Sequence, residues 1–115
     1  MHELGIANSI LEAVRAEALR CPGARPRKVT VRLGELAGVD PDALSFCFET
    51  LAGQGGLESV SLEIEPCPRR HRCPACGHEF TVVNYEFDCP ACREPATECI
   101  SGTELELAYL ELEEP

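Results

Sequence analysis

Apolar residues recur at helical spacing near the start of the chain. Between residues 4 and 19 they share one face while charged side chains take the other. The apolar positions are Leu4, Ala7, Leu11, Val14 and Ala18, and Ile6 and Ile10 widen the stripe. This period predicts an amphipathic helix. The helix should end at Cys21-Pro22-Gly23, because proline cannot continue it and glycine accepts the turn.

Two later segments alternate apolar and polar residues, which predicts half-buried strands over 28–33 and 60–65. A second helix should begin between them, with Asp40 as its N-cap and Pro41 in its first helical position. Its apolar stripe is Leu44, Cys47 or Phe48, and Leu51. The glycines of 53–56 should end it.

The last part of the chain, 103–113, also alternates as a strand, but its phase flips close to Tyr109. Such a flip predicts a β-bulge near 108–110, or a strand with partners on both faces. The fold class is therefore α+β. We predict a small three-stranded sheet covered by two helices, built from residues 1–66 and 100–115.

Residues 67–99 differ from the rest, because six of the eight cysteines fall there and long aliphatic side chains are scarce. A segment of this composition cannot form a core from its own apolar groups, so a metal should hold it together. A strand precedes the segment and another follows it. We therefore predict that 67–99 is a separate ribbon inserted into the α+β domain.

Two Cys-x-x-Cys units, Cys73-Pro-Ala-Cys76 and Cys89-Pro-Ala-Cys92, are separated by twelve residues. Two thiolates in each tight turn supply the four sulfurs of a closed tetrahedral zinc site, whose expected role is structural. Iron in a rubredoxin-like site and a pair of redox disulfides are the alternatives. Residues 80–87 should form a β-hairpin that joins the two turns.

The charge balance narrows the function further. Twenty acidic against ten basic side chains give a formal charge of −10, which disfavours nucleic acid and anionic membrane as partners. No apolar run reaches the length of a membrane span, and the first residues do not form a signal peptide. We expect a cytoplasmic protein with reduced thiols. The sequence contains neither a nucleophile with a recognisable base nor a phosphate-binding loop. We therefore do not expect an enzyme.

His2 is the least expected feature of the sequence. A free terminal amine, the amide nitrogen of His2 and its imidazole can chelate one ion, and Glu3 can add a donor. Such nitrogen donors suit planar Ni(II) or Cu(II). The alternative is a solvated chain end without a ligand, with Glu3 simply favoured at the start of a helix.

His71 and His78 flank the first Cys-x-x-Cys unit. They are either surface histidines or imidazoles that compete with a thiolate for the metal. Of the remaining cysteines, Cys47 fits a buried apolar position, whereas Cys67 and Cys99 bracket the ribbon and should stay reduced.

Taken together, these motifs resemble the HypA/HybF hydrogenase nickel-incorporation proteins. The resemblance rests on the start Met1-His2-Glu3-Leu4, the segment Gly34-Glu-Leu-Ala-Gly-Val39, the paired Cys-x-x-Cys units, and Ile100-Ser-Gly-Thr-Glu-Leu105. It spans essentially the whole chain. One departure is Arg93, which stands where the family commonly has a glycine that favours a left-handed turn.

The resemblance implies a nickel metallochaperone. Nickel would bind at Met1, His2 and Glu3, and zinc would bind at the four cysteines of the paired units. The implied partners are a nickel-binding GTPase of the HypB type and the large subunit of a nickel–iron hydrogenase, with urease maturation proteins as further clients. A monomer or weak homodimer is expected. A nucleic-acid-binding zinc ribbon and an electron carrier are the competing functions.

Overall fold

The computed structural model describes residues 2–114. Its regular elements are α1 (Glu3–Arg20), β1 (Arg25–Gly34), α2 (Pro41–Gln54), β2 (Ser61–Cys67), β3 (Arg70–Arg72), β4 (Glu79–Thr81), β5 (Glu98–Ser101) and β6 (Leu105–Glu113). The strands form two three-stranded sheets, in the orders β2-β1-β6 and β4-β3-β5. The predicted α+β class and the sheet shared by the first, second and last predicted strands are confirmed. No helix in the described range is long and apolar enough to cross a membrane.

The chain divides into two compact units. The first comprises the described parts of 1–32, 38–65 and 106–115, and the second comprises 33–37 and 66–105. The first unit contains both helices. The second contains the cysteine-rich segment together with the end of β1 and the short stretch that follows it.

Helix α1 buries one apolar face, formed by Ala7, Ile10, Leu11 and Val14. These positions follow the predicted spacing of three and four residues. The helix ends as predicted, because the amide of Cys21 donates to the carbonyl of Ala18 and Gly23 takes a φ of 87°. A positive φ of this kind is the conformation for which glycine pays no Cβ penalty.

Helix α2 begins where the sequence predicts. The Asp40 carboxylate accepts hydrogen bonds from the amides of Asp42, at 2.9 Å, and Ala43, at 3.5 Å, so Asp40 caps the helix. The buried residues are Leu44, Phe48 and Ala52. Phe48, and not Cys47, is therefore the core position of this helix.

The two helices run side by side in the same direction. Near their starts, the Glu3 carboxylate accepts from the amide of Asp40, and farther along, the Arg15 guanidinium donates to the carbonyl of Gly55. The N-termini of both helices therefore lie at one end of the first unit. This end carries His2, Glu3 and the Asp40 cap.

Side-chain contacts across the first sheet fix the directions of its strands. Arg32 pairs with Glu65, and Lys28 with Glu63, so β2 runs parallel to β1. In β6 the order reverses, because Arg32 meets Glu106 while Arg27 meets Glu113. β6 is therefore antiparallel to the central strand.

Strand β6 changes phase along its length. The Arg32 side chain reaches both Glu106, at 3.5 Å, and the hydroxyl of Tyr109, at 2.7 Å. Residues three apart in a regular strand point to opposite faces. The alternation therefore changes between these two residues, in the region where the sequence predicts an irregularity.

The second unit differs from the sequence prediction in its strand pairing. β4 pairs with β3, with His71 opposite Phe80, and β5 pairs with the other side of β3. Within 80–87, Phe80 and Thr81 belong to β4, and Val83 and Glu86 form an isolated antiparallel bridge. The predicted hairpin over 80–87 is therefore limited to this one bridge, and β4 pairs with β3 instead. The reason is local: the first Cys-x-x-Cys turn itself reverses the chain, so the strands on either side of that turn become partners.

Candidate metal centre

The four cysteines of the paired units come together in the second unit. Their sulfur atoms all lie within 4.8 Å of one another, and the four residues are Cys73, Cys76, Cys89 and Cys92. One cysteine of each unit is buried and the other is exposed. In residues 2–114 this is the sole group of three or more histidine, cysteine or carboxylate side chains close enough to hold one ion.

Two copies of the same turn present these sulfurs. In the first, the Cys73 amide donates to the carbonyl of His78, and the amide of Gly77 donates back to the carbonyl of Cys73. In the second, Cys89 pairs in the same way with Glu94 and Arg93, at 2.9 and 2.8 Å. Each turn requires a left-handed residue, which is Gly77 with a φ of 78° and Arg93 with a φ of 70°.

The spacing of the sulfurs fits zinc. Cys73 Sγ lies 3.5 Å from Cys92 Sγ, and Cys76 Sγ lies 3.6 Å from Cys89 Sγ. A tetrahedral Zn–S distance of about 2.3 Å places sulfurs about 3.8 Å apart. A disulfide would require about 2.05 Å. No disulfide joins any two of the described cysteines.

The pKa values of the clustered thiols differ from one another. Burial raises the pKa of Cys89, but hydrogen bonds from the amides of Cys92 and Ala91, together with those from the thiols of Cys76 and Cys92, lower that pKa to about 7. The amide of Glu94 lowers the pKa of Cys92, but the neighbouring thiols, Cys73 first, raise it to about 12. A cation bound here must therefore displace protons from the cluster.

A small apolar cluster supports the two turns. The buried residues Cys73, Cys89 and Phe80 pack together, and Val82 lies against them. This cluster is much smaller than the core of the first unit, whose members include Leu11, Phe48 and Val31. The composition of 67–99 had indicated this shortage of apolar side chains.

His71 is a structural residue of the ribbon, because both of its ring nitrogens have protein partners. The side chain is only 4% exposed. Its Nε2 accepts from Arg69 Nε at 2.9 Å, so its Nδ1 carries the proton and donates to Thr97 Oγ1 at 2.8 Å. Burial, and then the charge of Arg69, lower the pKa of His71. His71 stacks on Phe87 with ring centroids 5.6 Å apart.

His78 is exposed and stacks on Phe80 with ring centroids 6.1 Å apart. Neither His71 nor His78 belongs to the cysteine cluster. The cysteines outside the paired units also lie outside the cluster; they are Cys21, Cys47, Cys67 and Cys99.

The other predicted site lies at the start of α1, and Met1 falls outside the described residues. His2 is exposed and immediately precedes the helix, with φ −88° and ψ 119°, and its imidazole does not cap the helix. Its carbonyl accepts from the amide of Ile6 at 3.2 Å. Glu3, in the first turn, extends its carboxylate to the amide of Asp40 at 3.4 Å. The proximity of Asp40 was missed by the sequence reasoning, because no local pattern links positions 37 residues apart.

Comparison with known proteins places this arrangement in a family. Residues 1–112 match the family model described as hydrogenase/urease nickel incorporation, metallochaperone, hypA. A hydrogenase maturation factor HypA from Geobacter metallireducens is 42% identical over 113 residues, which cover 98% of this chain and 100% of that protein. The corresponding factor from Desulfosudis oleivorans is 37% identical over 116 residues, 99% of this chain and 100% of its own length.

Solved structures share the fold. The solution structure of the Ni metallochaperone HypA from Helicobacter pylori aligns over 100% of both chains with a TM-score of 0.66 and 22% identity. A second solution structure of a HypA protein aligns over 97% of this chain and 96% of its own, with a TM-score of 0.71 and 23% identity. The family match, the curated relatives and the fold agree. The chain belongs to the HypA family of nickel metallochaperones for hydrogenase maturation, whose members are maturation factors and not enzymes.

Proposed function

We propose that the chain binds Ni(II) at its amino terminus and delivers it to the large subunit of a nickel–iron hydrogenase. A nickel-binding GTPase of the HypB type is the proposed working partner, and urease maturation proteins are further candidate partners. The family description, which names both hydrogenase and urease nickel incorporation, supports this range of clients. The cytoplasm, where thiols stay reduced, is the proposed compartment.

The observation that carries the proposal is that the His2 side chain is exposed and does not cap the helix. Its imidazole is exposed at the N-cap position and makes no capping bond to the helix. A donor nitrogen next to a chain end can therefore bind an ion without breaking a folded contact. A cargo site must also release its ion, and an exposed terminus permits that.

The proposed ligands are the amine of Met1, the amide and imidazole of His2, and a donor from Glu3. Nitrogen-rich donor sets of this kind suit planar Ni(II). The bond from the Asp40 amide to the Glu3 carboxylate is long, at 3.4 Å. A long hydrogen bond is weak, so the Glu3 side chain can leave it at small cost when the ion binds.

The four cysteines are proposed to hold a structural Zn(II) within a ribbon domain of residues 67–99. The sulfur spacing and the small apolar cluster around Cys73 and Cys89 support this role. The residues would be Cys73, Cys76, Cys89 and Cys92, which leave no open coordination position. The remaining residues, 1–66 and 100–115, form the proposed nickel-binding domain.

Maturation of the client tests the delivery step. In a host that lacks its own copy of this factor, the wild-type chain should restore hydrogenase activity and nickel in the large subunit. The variant His2→Ala should restore neither, unless excess nickel is supplied. His78→Ala, which changes an exposed histidine of the ribbon, is the matched control and should restore both. Full activity with His2→Ala at limiting nickel would contradict the proposal.

A further inference from the structure

The loop between β4 and the second cysteine unit reverses the chain at Asn84 and Tyr85. Both residues have positive φ, 54° and 60°, and the amide of Glu86 donates to the carbonyl of Val83 at 3.1 Å. Two consecutive left-handed residues between a bridged pair form a type I′ turn, for which Asn-Gly is the favoured sequence. Asparagine suits its position here. Tyrosine in the second position is unfavourable, because its Cβ crowds the backbone.

The tyrosine side chain gains no burial in return for this strain. Tyr85 is 84% exposed, and its neighbours Val83 and Phe87 are exposed as well. We call residues 83–87 the ribbon tip. Apolar side chains that are clustered, exposed and held on a strained backbone are typical of a surface that another molecule covers.

A second position repeats the pattern. Arg93 adopts the left-handed conformation that Gly77 adopts in the first cysteine turn. Asn84, Tyr85 and Arg93 are the only residues other than glycine with positive φ in the described chain. Tyrosine and arginine are also the residue types that dominate binding energy at protein interfaces.

Two clefts of the second unit include residues of the ribbon tip in their linings. One, of about 230 Å³, has Leu36, Val82 and Tyr85 as its apolar lining. The other, of about 170 Å³, contains Val83 with the carboxylates of Glu86 and Asp88 and the guanidinium of Arg93. Within residues 2–114, neither Glu86 nor Asp88 forms an ion pair, so both carboxylates are available to a partner.

We propose that the ribbon tip is a docking surface for a positively charged segment of a partner protein. An aliphatic or aromatic side chain of that segment packs against Tyr85 and Val83, and its lysine or arginine side chains lie beside Glu86 and Asp88. The net charge of −10 attracts such a segment over a longer range. The surface does not depend on nickel, so it goes beyond the function proposed above.

A substitution in the turn at Asn84 and Tyr85 tests the proposal. Tyr85→Gly creates the favoured Asn-Gly turn, so it should retain or increase the stability of the ribbon while removing the aromatic ring. The probe is a random dodecapeptide library displayed on phage and selected on the immobilised, zinc-loaded full chain. Selected sequences should share an apolar residue flanked by lysine or arginine. Synthetic copies should bind Tyr85→Gly at least about tenfold more weakly than the wild type.

Leu19→Ser is the matched control, because Leu19 is 82% exposed on α1, outside the second unit. Peptide affinity should be unchanged in that variant. Replacing Glu86 and Asp88 by lysine should weaken binding and reduce its salt dependence. The proposal is overturned if no peptide is selected, if the selected peptides are acidic, or if Tyr85→Gly binds as the wild type does. Nickel titration of Tyr85→Gly should match the wild type, which separates this surface from the amino-terminal site.

Discussion

Arg93 shows that a residue can complete a metal turn at some cost in backbone energy. Arg93 stands where the family commonly has glycine, a residue with no Cβ. The structure forms the turn nevertheless, with the Arg93 amide donating to the carbonyl of Cys89 at 2.8 Å. The left-handed conformation costs an ordinary residue about 1–2 kcal/mol. The backbone hydrogen bonds that join Cys89 to Arg93 and to Glu94 act against this cost.

The variant Arg93→Gly should stabilise the second turn by about 1 kcal/mol, because glycine adopts positive φ without the Cβ penalty. Thermal unfolding of the zinc-loaded chain, followed by amide signals of residues 89–94, measures the change. Gly77→Ala is the matched control in the first turn, where the Cβ should destabilise by a similar amount. Lower stability of Arg93→Gly would show that the arginine side chain contributes contacts beyond those described here.

His71 belongs to a stack of flat groups in the ribbon. The Arg69 guanidinium lies 4.2 Å from the centre of Phe87, which in turn stacks on His71. The variant His71→Phe keeps an aromatic ring but leaves Arg69 Nε without its acceptor. An unpaired, partly buried donor of this kind costs about 1–3 kcal/mol. The free energy of unfolding, measured by chemical denaturation, should fall by this amount, and the zinc content should fall with it.

His78→Phe is the control for that experiment, because His78 is exposed and its ring stacks on Phe80 alone. The free energy of unfolding of this variant should lie within about 0.5 kcal/mol of that of the wild type, as is usual for surface substitutions. Equal losses in the two variants would contradict the role assigned to the bonds that His71 forms with Arg69 and Thr97.

At the scale of elements, the sequence predicts what local chemistry determines. Helix α1 follows from its apolar period, and the start of α2 follows from Asp40 and Pro41. The pairing of β4 was not predictable in this way, because it depends on the chain reversal at Cys73–His78 and not on the pattern of 80–87. The burial of Phe48 in preference to Cys47 depends likewise on packing against other elements.

Asp40→Ala should destabilise α2 by about 1 kcal/mol, because its carboxylate accepts from two otherwise unpaired helix amides. The main-chain amide that donates to Glu3 is retained in this variant, so the measurement isolates the cap. Urea unfolding monitored by helical circular dichroism gives the change. Asp42→Ala, in the first turn of the same helix, should lower the stability less. Equal effects would indicate a general charge effect and not a cap.

The ribbon should depend on its metal, whereas the first unit should not. Cys73→Ala removes a buried ligand and one member of the small apolar cluster. Zinc content should fall from about one atom per chain, and amide signals from 67–99 should collapse, because metal binding and folding are linked there. Signals from α1 and β1 should persist. Cys21→Ala, an exposed cysteine outside the cluster, should change neither property. Iron in place of zinc, or loss of the α1 signals, would contradict the account.

The whole molecule combines a cysteine cluster with a proposed amino-terminal nickel site of opposite character. The cysteine cluster can be predicted from the sequence, because each Cys-x-x-Cys turn is local. Only the contact between the two turns depends on the rest of the fold. The surroundings of the proposed amino-terminal site could be predicted only in part. His2 and Glu3 are adjacent in sequence, but the approach of Glu3 to Asp40 follows from the parallel packing of the two helices. That packing depends on long-range contacts that no local pattern encodes.

Nickel binding should weaken as pH falls, because the terminal amine, an amide nitrogen and an imidazole must all lose protons to bind the ion. The sign is the same for every donor, so acid releases the cargo. A titration repeated across the neutral range, with free nickel measured at each step, gives the slope. Affinity that is constant with pH, or that rises in acid, would contradict a site built from these nitrogens.

The central claim is that the amino terminus holds the nickel, and one titration tests it most directly. Ni(II) is added to zinc-loaded chain with its native start, to His2→Ala, and to a chain extended by a few residues before Met1. The native chain should bind one ion with the visible spectrum of planar Ni(II). His2→Ala lacks the imidazole, and the extension converts the amine into an amide, so both should lose that spectrum while zinc content and fold stay unchanged. Unaltered affinity and spectrum in His2→Ala would place the nickel elsewhere in the chain.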